Sequence, residues 1–291
     1  MKKINILSAG SAGLLAAAAL ALLAPSGHAQ VNTYNEGDLL LGFEEPGVAY
    51  DYVVDLGSIA NFITLSQTPG TTDITTAYSL GGIAADLSAT FGSGWATNSA
   101  TQGDNVQWGI IGASDKNVSA TFGAYTLPAD TLFETRAEFT PGSGSTAPTE
   151  SSSSLQKTVD GKILNSLGAA FNNTSTTANS SVATVEPTSV SNNWSSFGPQ
   201  STVGSWANNI EQPTSGAFIG ATNSQLDLYE LLPTNSGGSG QGTELGSFTL
   251  DSSGDLSFTS AAVPEPSTYA AIGLGAAFLL FFRRSRKTLH A

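Results

Sequence analysis

Gly37-Asp38-Leu39-Leu40-Leu41-Gly42-Phe43-Glu44-Glu45 and Ala49-Tyr50-Asp51-Tyr52-Val53-Val54-Asp55-Leu56-Gly57 are two apolar runs with Pro46-Gly47 between them. Runs of this length and aliphatic or aromatic content read as buried strands, and a Pro-Gly pair between them reads as the turn of a hairpin. The surrounding chain is rich in Gly, Ser, Thr, Asn and Ala and poor in Lys and Glu. That composition disfavours a helical bundle and suits short strands joined by turns.

Working outward, Ile59, Phe62 and Ile63 fall at helical spacing, as do Ile83, Leu87 and Phe91 before Gly92 and Gly94; each predicts a short helix. Asn105 to Gly112 predicts a third strand, and residues 119–127 and 132–139 supply further strand candidates. The polar stretch 140–154 is too rich in Ser, Thr, Gly and Pro to bury anything and is expected to be exposed. Leu155, Val159, Ile163, Leu167 and Phe171 then recur every fourth residue, predicting a helix over 153–171 with Ser153 or Ser154 as its N-cap. Gly161 weakens that helix by about 1 kcal/mol relative to alanine. Residues 217–220, 225–231 and 246–250 read as strands, and Asp251-Ser252-Ser253-Gly254 turns into Asp255 to Thr259 as a hairpin. The expectation for residues 30–262 is one mainly-β domain, a β-sandwich with a few short helices on its faces. In it the late strands cover the open face of the early ones.

Both ends carry export signals. Met1-Lys2-Lys3, the Ala/Leu run from Ile4 to Ala24 and the small-x-small triplet ending at Ala29 make residues 1–29 a secretory signal peptide. At the other end, Val263-Pro264-Glu265-Pro266-Ser267 cannot be helical at its centre, because each proline fixes its own φ and restricts its predecessor. An uncharged, helix-compatible run over 267–282 follows, closed by Arg283, Arg284, Arg286 and Lys287. A basic cluster at one end of an apolar span places that end in the cytoplasm. The run reaches about 24 Å as a helix against a hydrocarbon core of about 30 Å, short enough to suit a transient transmembrane anchor.

Box, apolar run and basic end, in this order over residues 263–291, resemble the PEP-CTERM sorting signal of bacterial surface proteins. The resemblance implies handling by an exosortase, a membrane-embedded cysteine transpeptidase, and processing near Pro264-Glu265-Pro266. It also implies a host that makes extracellular polysaccharide, and it says nothing of what the exported domain does. The elements from Gly37 to Leu56, with Ala85 to Trp95 and Val106 to Gly109, loosely resemble exported domains common among PEP-CTERM proteins, with no activity carried over.

Between the signals only Lys116, Arg136, Lys157 and Lys162 face twenty-two carboxylates, a formal charge of −18. Nucleic acid and anionic membrane surfaces are poor partners for such a domain. Divalent cations, basic proteins and neutral glycans are better ones. The chain has no cysteine, and its two histidines, His28 and His290, fall in the signals. Thiol chemistry, a Ser-His-Asp triad, His-ligated zinc and a His general base are therefore excluded from residues 30–262. Carboxylate pairs, Ser-Lys chemistry and oxygen-ligated calcium survive.

Each surviving candidate has a blander competitor. Glu44 and Glu45 with Asp51 and Asp55 across the hairpin offer a pair for glycoside hydrolysis, but a domain so rich in acids makes such pairs by chance. Asp251 to Asp255 has the look of a calcium loop without the EF-hand spacing, which favours a solvated turn. Lys116, Lys157 and Lys162 lack a serine in any recognisable motif, and four Asn-x-Ser/Thr matches are explained by composition. Trp108 precedes apolar residues and belongs to a core. Trp194 and Trp206, set among Ser, Asn and Gly, are the candidates for stacking on a glycan. The reading is a non-enzymatic display or structural protein of the cell surface or matrix, with no cofactor, metal or catalytic residue. The alternatives are a lectin-like glycan-binding module and a carboxylate-dependent glycan-active enzyme.

Overall fold

The computed structural model describes residues 33–97, 106–114, 119–137, 145–150, 153–173, 178, 182–189, 192–197, 211–215, 223–234 and 240–261. The expected hairpin is present as β1 (Asp38–Glu44) and β2 (Tyr50–Ser58), paired antiparallel with Phe43 opposite Tyr52. Next come α1 (Ile59–Ser66), β3 (Thr71–Asp73), α2 (Ile74–Ala77) and α3 (Ile83–Phe91). The Ser58 hydroxyl caps α1 by accepting from Ala60 N, and Gly92, at φ 88°, ends α3 in a conformation that a side chain would strain.

The chain continues through β4 (Gln107–Ala113), the small hairpin β5 (Ala120–Phe122) and β6 (Tyr125–Leu127), and β7 (Leu132–Ala137). A long helical segment follows: α4 (Ser153–Lys162), a π-helical turn (Ile163–Leu167) and α5 (Gly168–Asn173). Its apolar residues recur every four positions, about 400° of an ideal α-helix, so the stripe would drift by about 40° per step. The wider π turn unwinds the helix where Ile163 and Leu167 lie and keeps the stripe on the sheet, with Val159, Ile163, Leu167 and Phe171 all buried. The remaining elements are β8 (Ala183–Pro187), α6 (Trp194–Phe197), β9 (Glu211–Pro213), β10 (Ser224–Leu231), β11 (Thr243–Leu250) and β12 (Leu256–Ser260).

Nine strands make one antiparallel sheet in the order β3-β12-β11-β10-β7-β4-β1-β2-β8, curled into a half-barrel. The tenth, β9, lies on β4: Gln107 to Gly109 pair with β9, whereas Ile111 to Ala113 pair with β7. The mainly-β expectation holds, but the sandwich is corrected. β10 pairs with β7 from Leu226 opposite Ala137 to Leu231 opposite Leu132, so the late strands extend the first sheet instead of facing it. The curl is visible in α1, which touches β2 as well as β11 and β12 although four strands separate β2 from β11.

Each face of the sheet has its own core, as the two-residue alternation of strand side chains requires. Leu39, Leu41, Phe43, Tyr52, Val54, Trp108 and Ile110 point inward with α1, α2 and α3. There the Phe62 ring meets Tyr78, Phe248 and Phe258 at centroid distances of 5.8, 5.4 and 5.7 Å. Leu40, Val53 and Ile111 point outward under Val159, Ile163, Leu167 and Phe171 of the long helical segment and under Trp194 of α6. Burial on both faces explains why β1 and β4 read as continuous apolar runs without clean alternation. Among the described residues no helix is long and apolar enough to cross a membrane. The signal peptide, residues 1–29, and the sorting tail, residues 263–291, lie outside the described residues, as does the expected strand at 217–220.

Candidate functional site

Four carboxylates converge on the outward face at the turn end of the β1–β2 hairpin. The register that sets Phe43 opposite Tyr52 brings Glu44 beside Asp51 on the next rung. Asp51 lies opposite Glu186 of β8. On the other side Glu44 lies opposite Gln107 of β4, and β9 sets Glu211 opposite Gly109, itself opposite Gly42. Gly42 and Gly109 leave a lane without side chains, and the indole of Trp194 occupies it over Gly42. All four acids are buried, with relative exposures of 9% for Glu44, 1% for Asp51, 1% for Glu186 and 3% for Glu211.

The first backbone N–H groups of α6 tie this short helix to the acids. Trp194 N donates to Glu186 Oε2 at 3.3 Å and Ser195 N donates to Asp51 Oδ2 at 2.8 Å. The Trp194 indole N–H donates to Glu211 Oε1, so one residue bridges β8 and β9. Asn193 Nδ2 adds a bond to the Pro187 carbonyl at 3.3 Å. Two carboxylate oxygens receive no donor: Glu186 Oε1 and Glu211 Oε2 are buried without an N–H or hydroxyl partner.

Burial dominates the acid–base behaviour of the cluster, because a desolvated carboxylate favours its neutral form. Burial and the Asp51 charge raise Glu44 to about 7, against a hydrogen bond with Glu211. Burial raises Asp51 to about 6 despite the Ser195 donors. Burial and the Asp51 charge push Glu186 to about 8. Burial, and then the Glu44 charge, raise Glu211 well above the usual carboxylate range, with the Trp194 N–H opposing. A hydrogen bond between the carboxyl groups of Glu211 and Glu44 requires a proton between them. Among the described residues, no Lys or Arg figures among the causes acting on these four groups. Nor are three or more Asp, Glu, His or Cys placed to hold a metal ion among the described residues.

Of the acids singled out from sequence, Glu44 and Asp51 come together. Asp55 lies opposite Leu40 toward the other end of the hairpin, where burial and then the Asp38 charge raise it to about 7, and Glu45 is half-buried beside the turn. Glu186 and Glu211 were missed. Each sits in a strand of five residues or fewer, within polar sequence that gives no strand signal. Trp194 is corrected: its indole is fully buried against the sheet and offers no platform to a glycan, while Trp206 lies outside the described residues. Trp108 is in the core as expected, its indole N–H donating to Ser224 Oγ at 2.7 Å. Asp251 Oδ1 is taken up by Ser253 N at 2.8 Å and Asp255 N at 3.0 Å, a self-satisfied turn. Lys157 is exposed on α4, Lys162 is half-buried and Lys116 lies outside the described residues. So do Val263, Pro264, Glu265, Pro266, Ser267, Arg283, Arg284, Arg286 and Lys287.

Together the described residues define a curled antiparallel sheet whose outer face closes over an uncompensated carboxylate cluster. The chain carries a PEP-CTERM sorting motif: the family model described as the PEP-CTERM protein-sorting motif matches residues 262–287. The motif implies export, processing by an exosortase, membrane association and sorting to the cell envelope. No curated protein and no solved structure matches the chain.

Proposed function

We propose that this chain is a surface or extracellular-matrix protein with a non-catalytic display role, delivered through its C-terminal tail. The observation that carries the reading is the sorting motif at residues 262–287. In this reading residues 1–29 direct export and are removed, and the apolar run 267–282 holds the folded domain at the outer face of the inner membrane with Arg283, Arg284, Arg286 and Lys287 in the cytoplasm. Processing near Pro264-Glu265-Pro266 then releases the domain to the cell surface or its polysaccharide matrix.

The acidic domain supports display, since a formal charge of −18 between the signals keeps it soluble and unattracted to anionic surfaces. Sealing of the four carboxylates supports a non-catalytic role, because a general acid must reach the bond it protonates. A carboxylate-dependent glycan-active enzyme is the second reading, favoured by the adjacency of Glu44 and Asp51.

Deleting residues 263–291 in the native host and fractionating the cells tests the proposal. Loss of the protein from the envelope and surface fractions supports it, and an unchanged distribution contradicts it. Release of reducing ends from the host's own polysaccharide, abolished by Glu44→Gln, would favour the enzyme instead.

A further inference from the structure

We propose that Glu44 and Glu211 form a proton-operated latch: the proton they share holds β9 and α6 closed over the β1–β2 hairpin, and its loss lifts Trp194 off Gly42 and opens this end of the sheet. The inference stands on geometry. Glu211 is the hinge of the arrangement, because its Oε1 accepts the Trp194 indole N–H while its other oxygen, Oε2, is buried with no N–H or hydroxyl donor. The register sets Glu211 of β9 opposite Gly109 and Glu44 of β1 opposite Gln107, two residues along the same face of β4, with no side chain at Gly42 or Gly109 to keep the two acids apart. Their carboxyl groups interact, and two carboxyl groups in contact are cohesive only with a proton between them. Without that proton, two like charges share a buried site and repel.

Among the described residues, the surroundings offer no other compensation. From β2 and β8 the groups facing the pair are Asp51 and Glu186, both acidic and both already engaged by the N–H groups of α6. β4 brings the uncharged Gln107, and α6 brings backbone N–H groups, the Trp194 indole and the Ser195 hydroxyl, the last engaged with Asp51. β7 and β10, which pack beside β9, bring Glu134, Arg136 and Asp227 to the same face of the sheet. Arg136 is paired with Glu134, and Asp227 accepts from Ser145 N and Ser247 Oγ. In this latch the proton is the species that closes the pair, and a cation is the alternative that the test below separates from it.

The elements that would move are small. α6 spans four residues and β9 three, and β9 pairs only with part of β4. Opening them leaves the β1–β2–β4 ladder intact, so the switch is local and exposes the apolar lane over Gly42 and Val53, a surface hidden at lower pH.

Hydrogen exchange on the purified full chain, corrected for the intrinsic pH dependence of exchange, tests the latch. Between about pH 5 and about pH 9 the protection of Trp194 N and Ser195 N should fall about tenfold or more, while that of Leu226 N in β10 and Phe248 N in β11 holds. Glu211→Gln should keep the protection at the higher pH, because its carboxamide donates permanently to Glu44 and still accepts from Trp194. If that variant does not fold, Glu44→Gln supplies the same uncharged partner from the other side. Wild-type protection that persists to the higher pH overturns the proposal, as does equal loss in the folded Gln variant. Restoration of wild-type protection by calcium chloride at the higher pH also overturns it, by making a cation the closing species.

Discussion

The indole of Trp194 rests on the backbone of Gly42, so closely that a Cβ at that glycine would lie 1.8 Å from Trp194 Cδ2. The two residues are far apart in sequence, and their contact fixes α6 on β1 and sets the indole N–H toward Glu211. Gly42 is required for the room it leaves, since its φ is not among the positive ones.

Gly42→Ala should therefore displace the tryptophan and destabilise the fold by about 1–3 kcal/mol, the usual range for overpacking a filled site. Gly81→Ala is the matched control, for nothing lies within 4 Å of its added Cβ and its φ is not in the left-handed region. Urea denaturation of both variants measures the contrast, and an equal midpoint would contradict the packing.

Stability should fall as pH rises. Burial lifts Glu44 to about 7, Asp51 to about 6 and Glu186 to about 8 in the native state. The unfolded values lie near 4, so between about pH 4 and about pH 8 the native state binds more protons than the unfolded one. A group raised in this way contributes stability that is fully present below its unfolded value and lost as pH climbs through its folded value. Asp55 and Glu134, each raised to about 7, act in the same direction. Urea midpoints should decline from about pH 5 to about pH 8.5, and a higher midpoint at the alkaline end would sink the assignment of these groups as buried acids.

Trp194→Phe should leave the Glu211 oxygen without its donor and lower stability by about 1–3 kcal/mol. Because the indole is buried, the same change should leave binding to soluble glycans unaltered when compared by isothermal titration. A loss of glycan binding with stability unchanged would restore the exposed-platform reading.

Phe62 gathers three aromatic rings in the inner core, whereas Tyr50 is about half exposed. Truncation to alanine should cost about 3–5 kcal/mol at Phe62 and little at Tyr50, a contrast readable in thermal midpoints.

The hairpin at Gly37 to Gly57 was legible because its apolar runs and Pro46-Gly47 turn are local features. So were α1, α3, the long helical segment and the turn at Asp251, each carried by spacing within a dozen or so residues. The sandwich expectation failed on a long-range choice. Apolar patterning shows that β10, β11 and β12 are buried, and it cannot show whether they face the first sheet or join β7 at its edge. Trp194 misled for a related reason: its Ser and Asn neighbours suggest solvent, but its burial is decided by a glycine in β1. Half of the carboxylate cluster was visible as Glu44 and Asp51. Glu186 and Glu211 arrive on strands too short to announce themselves, and only the register brings them in.

The intact mass of the protein recovered from its native host tests the sorting claim most directly. A mass that lacks the residues beyond the Pro264-Glu265-Pro266 box is the predicted result, the mark of a sorted and processed surface protein. A mass that retains Ala291 would contradict it and leave a domain held at the membrane by its tail.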